Sequence, residues 1–357
     1  MTTGATQSLS QRLATFFKFR RSRALSGLGA FALPVEIILE ISLHLDNTSR
    51  TSLALTCRTF NLCFYRNPPL EPAETEQLLL LLERDLARLY YCHYCVKLHP
   101  WKRRASKSIR PRCFVDTPCK EEINYYPFPT HFYEIPYHYA RVVMNRHLYG
   151  PEHGPSLTKL TERIRESCFC YKGLSNSVTQ EARIVDDQLL ILSLISWSHS
   201  KGDSKFLKDR MNFVGHSVCP HLTLGTGFVD HAPRQLPELA HDNTTSRPFT
   251  PCEQSRGSCT VCLTDYSIDI TWRGEKKGFL IQVAVFRQLG DCRSPFDWVW
   301  HNSSTMYPKQ EGRMARTVNS EKYRPGCVRD RWNGARCVVR DYKKWAGVRA
   351  TEKAGVY

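Results

Sequence analysis

Residues 31–65 read FALPVEIILEISLHLDNTSRTSLALTCRTFNLCFY, a stretch dense in aliphatic side chains and free of glycine. Such a run reads as helix. Pro34 suits a first helical position, where its missing N–H costs nothing, and the apolar run continues to Leu45. Asn47, Thr48 and Ser49 offer a turn and a cap for a second helix through Leu55, and a third follows from about Arg58 to Tyr65. On the first helix Pro34, Ile37, Ile38, Ile41 and Leu45 share one stripe, while Leu39 and Leu43 occupy another side. A unit of about 40 residues rarely covers that much apolar surface by itself. The burial is completed either by a partner or by the rest of the same chain.

Working outward, the two ends are basic. Residues 1–30 carry five basic and no acidic side chains, and residues 301–357 carry thirteen Lys or Arg against five Asp or Glu. They hold +5 and +8 of the net charge of +16. They read as a disordered basic tail, 1–30, and a basic C-terminal tail, 301–357; contact with nucleic acid or acidic partners is the sharper alternative. Arg12, Lys18, Arg20, Arg21 and Arg23 leave no room for the apolar core of a secretory signal. The segment Gln11 to Arg23 also passes for a mitochondrial targeting helix or, through KFRRSR, a nuclear signal. No apolar run approaches the roughly 20 residues of a membrane helix, so a soluble protein of the cytoplasm or nucleus is expected.

At 357 residues, 41% of them hydrophobic and 11% aromatic, the chain has room for two or three modules with a folded interior. Asn67, Pro68, Pro69 and Pro72 break the first helical region, which is set at 31–70. A helix resumes from Thr75 to Leu89 with five consecutive leucines, Leu78 to Leu82, and reads as a buried linking helix at 71–90. Residues 91–155 shift to Cys, His, Tyr and Pro with little periodicity, which predicts an irregular segment ordered by something other than a large apolar core. Residues 156–300 are expected to contain β-structure. Gln188 to Trp197 is a short apolar run. Thr264 to Arg273 alternates Tyr266, Ile268, Ile270 and Trp272 with polar residues, and Phe279 to Phe286 alternates Ile281, Val283 and Val285. The two are predicted to pair as an antiparallel hairpin across Gly274-Glu275-Lys276-Lys277-Gly278. The whole is an α+β chain, and no internal repeat of the propeller, leucine-rich or ankyrin kind is present.

The fifteen cysteines, an odd number, suit a reducing compartment better than a disulfide framework. In YYCHYCVKLHPW, Cys92 and Cys95 form a C-x2-C and His99 follows, half of a zinc site by spacing; Cys113 or Cys119 would supply a fourth ligand. Cys219 and His221 in VCPH, with Cys259 and Cys262 in SCTVC, form a second set able to close a tetrahedral structural zinc site. Buried free thiols are the alternative for each. A redox role fits poorly, because neither C-x2-C opens a helix after a strand. Metal would explain how the Pro- and Tyr-rich middle is ordered.

One resemblance bears on the opening stretch. Leu33-Pro34-Val35-Glu36-Ile37-Ile38, Ile41, Leu45-Asp46, Leu53-Ala54-Leu55, Cys57-Arg58 and Phe60 resemble the F-box consensus in order and spacing. With TCRTFN in the third helix and a Cys/His segment afterwards, the arrangement is most similar to F-box proteins of filamentous fungi. The resemblance implies a three-helix motif that binds the Skp-type adaptor of SCF, cullin-based ubiquitin ligases. It further implies docking roles for Leu33, Pro34, Ile37, Ile38, Ile41, Leu53, Cys57 and Phe60, the last departing from a frequent tryptophan. The rest of the chain would then select an unknown protein for ubiquitination. The rival reading is a basic zinc protein that contacts nucleic acid, its N-terminal helices purely structural.

Catalytic signatures do not assemble. There is no P-loop, G-x-S-x-G, H-E-x-x-H or dinucleotide fingerprint. Asp186-Asp187 and Glu121-Glu122 are neighbours whose side chains point apart in regular structure, so a solvated pair is expected in each case. His131, His138 and His147 lie scattered among aromatics. A non-catalytic protein is expected.

Overall fold

Alternating burial along two neighbouring strands governs most of the architecture. The computed structural model describes residues 35–304 and 323–334, except 57, 59, 62–68, 102–124, 127–134, 168–172, 215–216, 226–233 and 240–247. The chain divides into two compact units, Met1–Asp85 and Leu86–Tyr357. Helices come first and a β-sheet region follows, an α+β fold.

In the first unit, α1 spans Val35–Leu43, α2 Asn47–Thr56 and α3 Pro72–Asp85. Arg58, Phe60 and Asn61 are also helical. The cap of α2 is Asp46, whose Oδ1 accepts from the Ser49 amide at 2.6 Å, rather than the Asn-Thr-Ser triplet that follows it. The same bond holds the exposed Asp46 carboxyl below its usual pKa. From α2, Arg50 reaches back and donates to the carbonyls of Ser42 and Leu45 at 3.1 and 3.2 Å, satisfying the end of α1. Pro72 occupies the first position of α3, and Glu74 accepts from the Glu71 amide at 2.9 Å, half of a capping box. The other Glu74 oxygen accepts from Asn47 Nδ2 at 3.1 Å, which joins α3 to α2.

Among the described residues of this unit, Ile38, Ala54 and Phe60 form a buried apolar cluster, with Leu39 and Leu53 packed beside them. The inward face of α1 is therefore Ile38 and Ser42, a spacing of four, with Leu39 packed beside them. Ile37 and Ile41 point outward, so the single stripe inferred from sequence is divided. Ser42 escapes a search for apolar core positions because it is polar, yet its hydroxyl donates to Leu39 O at 2.7 Å and is satisfied inside.

In the second unit, β1 (Leu89–Cys92) and β2 (Lys97–Pro100) form a hairpin, and β3 (Tyr125–Tyr126) pairs with β4 (Ile135–Pro136). Helix α4 (Tyr137–Tyr149) follows. The main sheet is six-stranded and antiparallel. In chain order its strands are β5 (Glu162–Ser167), β6 (Leu174–Val185) and β7 (Gln188–His199), then β11 (Cys252–Ser258), β12 (Thr264–Trp272) and β13 (Phe279–Gly290). Their spatial order is β11-β12-β13-β7-β6-β5. Between β7 and β11 lie α5 (Ser204–Val214) and a small sheet of β8 (Ser217–Cys219), β9 (Leu222–Thr223) and β10 (Arg234–Gln235).

The predicted hairpin is present, with Tyr266 opposite Val285, Ile268 opposite Val283 and Ile270 opposite Ile281. Its turn is held by Gly278 donating to Gly274 O at 2.8 Å, with Gly274 and Gly278 at φ of 87° and 59°. A Cβ on Gly278 would meet the backbone of Gly202 at 2.6 Å, so glycine is required there for space as well as for φ. β6 and β7 meet at a two-residue turn whose Asp186 and Asp187 have φ of 50° and 56°. Both φ positive is the geometry a tight right-twisted hairpin needs, and both side chains are exposed.

Odd-numbered residues of β7 and β13, among them Ile191, Ile195, Trp197, Ile281, Val283 and Val285, enter the main core with Val142 and Met144 of α4 and Leu207 and Met211 of α5. Even-numbered Leu190, Leu192 and Phe286 face the opposite way, into a second core with Val299, Val328 and Trp332. The beginning of β7 is thus covered on both faces and reads as a continuous apolar run. Beyond it Leu194 is exposed and Ser196 and Ser198 are half-buried, and alternation returns.

Two expectations from sequence are corrected. The stretch 91–155 is not irregular throughout, since α4 occupies thirteen of its residues. Residues 137 to 145 are all buried, so the first nine residues of this helix have no solvent face. Nor is 301–357 a solvated tail along its whole length. Helix α6 (Trp298–Ser303) runs into it, and α7 (Cys327–Trp332) packs on the second face of the sheet. The carboxylate of Asp265, 2% exposed, accepts from the amides of Gly326, Val328 and Arg329 at 3.0, 2.8 and 2.9 Å and from Ser258 Oγ at 2.5 Å. Burial pushes its pKa up, and these hydrogen bonds offset part of the rise. Arg183 lies over the Trp332 ring at 4.4 Å and donates to Trp332 O at 3.0 Å, fixing the other end of the helix.

Candidate functional site

Two kinds of feature stand apart from the packing: an apolar surface on the first unit and two Cys/His groups in the second. On the first unit Ile37 is 47% exposed and Ile41 45%, one turn apart on α1, and Leu43 and Leu55 are exposed as well. Bulky side chains one turn apart form a ridge. Of the other residues assigned to docking from sequence, Ile38 and Phe60 are buried in the unit's own core and Leu53 is half-buried against it. In this arrangement they hold the helices together rather than present a surface. Leu33, Pro34 and Cys57 lie outside the described residues. Leu43 and Leu55 belong to the exposed apolar set but were not assigned to docking from sequence, because a consensus match ranks positions by identity and not by exposure.

The first Cys/His group is built from two pieces of chain. Cys219 ends β8, His221 sits in the turn to β9, and Cys259 and Cys262 stand in the turn from β11 to β12. The ligand atoms of all four lie within 4.8 Å of one another. Cys219, Cys259 and Cys262 are 1%, 7% and 1% exposed, and Cys219 Sγ is 3.9 Å from His221 Nδ1. The Cys259–Cys262 turn is preset by backbone bonds: Cys259 N to Thr264 O and Thr264 N to Cys262 O, both 2.8 Å. Asn302 Nδ2 donates to Val261 O at 2.8 Å from α6, and the Val261 amide points at Cys259 Sγ, 3.4 Å away. An amide aimed at sulfur favours the thiolate, the form a metal takes. Burial pushes the Cys219 thiol well above its ordinary range, and hydrogen bonds from Cys219 and Cys262 pull Cys259 far down.

The second group is Cys92 at the end of β1, Cys95 in the hairpin turn and His99 on β2, opposite Tyr90. Cys95 Sγ lies 2.7 Å from His99 Nε2. It offers three ligand atoms, of which only Cys92 is buried. The fourth ligand expected from sequence, Cys113 or Cys119, lies outside the described residues. Both groups can hold a metal ion, and both were brought together from positions singled out by spacing.

The remaining titratable candidates are explained by structure. His138 is buried and stacks near Tyr90, with ring centroids 5.9 Å apart. His147 Nε2 meets Asp187 Oδ1 at 2.8 Å on the surface. His131 and the Glu121-Glu122 pair lie outside the described residues. Among the described residues no helix is long and apolar enough to cross a membrane.

Comparison with known proteins places one domain. The family model described as F-box domain matches residues 31–70. No curated protein and no solved structure matches the chain. The first unit therefore carries an F-box.

Proposed function

We propose that the chain is the substrate-recognition subunit of an SCF-type, cullin-RING ubiquitin ligase, docked on a Skp-type adaptor through residues 31–70. The observation that carries this reading is the F-box match at those residues. The Ile37–Ile41 ridge supports it by supplying exposed apolar surface on the same unit, as adaptor docking requires. Ile37 and Ile41 face the adaptor in this reading, and Ile38, Leu53 and Phe60 shape the unit behind them. Leu33, Pro34 and Cys57 join the contact by their places in the motif.

The region after Asp85 then selects a protein substrate, in the cytoplasm or the nucleus. The subunit breaks no bond itself. It raises the effective concentration of a substrate lysine near the charged conjugating enzyme. Any metal at the Cys/His groups is structural in this scheme and shapes the recognition surface without entering the transfer.

Co-purification of the full chain with a Skp-type adaptor, at low and at high salt, tests the reading. Apolar docking survives salt, whereas contact with nucleic acid through the basic residues weakens steeply. Stoichiometric, salt-resistant capture is the expected result. A folded chain that captures no adaptor but binds nucleic acid in a salt-sensitive way would replace the adaptor reading with the basic-protein one.

A further inference from the structure

We propose that Cys219, His221, Cys259 and Cys262 bind one structural Zn²⁺ ion, which clamps the small β8–β9–β10 sheet to the β11–β12 turn of the main sheet. The inference concerns the second unit alone and stands whether or not the first unit docks on an adaptor.

The donor set argues for the metal. Three sulfurs and one imidazole nitrogen all lie within 4.8 Å of one another, close enough to become the corners of a zinc tetrahedron, in which zinc–sulfur bonds of about 2.3 Å put sulfurs about 3.8 Å apart. Soft thiolates with an imidazole in that geometry select zinc over the hard, oxygen-seeking cations. The site is closed. Four protein ligands fill the coordination sphere and the three cysteines are buried, so no position is left open for a substrate or an activated water.

The surroundings show what the clamp does. Strands of three, two and two residues are too short to hold a sheet unaided. Val218, Leu224 and Leu236 pack into the main core, and Leu222 of β9 and Val261 of the β11–β12 turn pack around the three cysteines. Cys219 and Cys259 are 40 positions apart in sequence. A metal across them closes a long loop of the unfolded chain, so binding supplies folding free energy directly. The cysteines are free in the structure, with no disulfide competing for the sulfurs. On binding, the thiols that ligate the ion lose their protons and the imidazole enters neutral.

The test uses the full chain with Cys92→Ser and Cys95→Ser, which removes the other Cys/His group. Purified without chelator and dialysed into metal-free buffer, it is expected to hold one zinc per chain by elemental analysis. Adding Cys259→Ser and Cys262→Ser should remove that zinc. Because those last substitutions also threaten the fold, cobalt exchange gives an independent readout. Co²⁺ in this site should show the intense visible bands of tetrahedral coordination and a near-ultraviolet thiolate charge-transfer band. His221→Cys should keep one metal per chain while shifting the visible bands as nitrogen is replaced by sulfur. A folded Cys92→Ser/Cys95→Ser chain without zinc, or a cobalt spectrum unmoved by His221→Cys, would overturn the proposal.

Discussion

Ile37 and Ile41, on the helix that opens the first unit, are close to half exposed, whereas Ile281 and Val283 in the middle of the six-stranded sheet are sealed. Among its described residues the first unit gathers Ile38, Ala54 and Phe60 into a buried cluster and leaves Ile37, Ile41, Leu43 and Leu55 at its surface. The second covers one sheet face with α4 and α5 and part of the other with α6 and α7. A helical unit that leaves Ile37 and Ile41 exposed offers apolar surface of the kind the proposed docking requires. A sheet region that buries both faces and holds Cys/His groups is made to keep its own shape and present a surface.

Predictions that break or sharpen this contrast can be ordered by size. All seven tryptophans follow residue 100, so tryptophan fluorescence reports the second unit and leaves the first silent. The largest effect is expected from Ile281→Asp, which buries an unpaired carboxylate between packed elements at a cost of several kcal/mol. The fluorescence transition in denaturant should be lost or reached at far lower concentration; an unchanged midpoint would mean the sheet core is not as described. Next comes a matched pair. Ile281→Ala should cost toward the upper end of about 2–5 kcal/mol and Ile38→Ala toward the lower end, because a small helical core collapses around a lost side chain more readily. Only the first should move the fluorescence midpoint, while far-ultraviolet dichroism should report the second.

Asp265→Ala is expected to cost less, about 1–3 kcal/mol, by leaving the Gly326, Val328 and Arg329 amides without their acceptor. Proteolysis should then cut near residues 323–334 before the sheet opens. Protection equal to wild type would show that α7 is held by its apolar contacts alone. The smallest effect belongs to Ile37→Ser with Ile41→Ser, within about 0.5 kcal/mol of wild-type stability, as expected for residues outside the core.

These features differ in how legible they were. The β12–β13 hairpin could be read because its strands alternate for nine residues and Gly274 and Gly278 mark the turn; local pattern and final fold agree there. The Cys219/His221/Cys259/Cys262 group could be read because each half carries its own short spacing, although nothing in the sequence fixed that the halves would meet. Helix α4 could not, since residues 137–145 are buried on every side, polar His138, Arg141 and Asn145 included, so burial does not follow polarity along it. Helix α7 was hidden for another reason: its N-terminal amides are satisfied by Asp265, 61 positions from Gly326, and no local rule sees so distant an acceptor. In the first unit the consensus marked both buried and exposed positions. Ile38 and Phe60 support the fold, Ile37 and Ile41 form the surface, and a polar Ser42 completes the inner face.

The most direct test of the central claim compares capture of a Skp-type adaptor by the wild-type full chain and by Ile37→Asp with Ile41→Asp. An unpaired carboxylate buried in the contact costs ~3 kcal/mol, more than a hundredfold in affinity. The account predicts stoichiometric, salt-resistant capture by wild type and none by the variant, with dichroism and the fluorescence midpoint of the two alike. A folded wild-type chain that captures no adaptor, or a variant that captures as much as wild type, would contradict it.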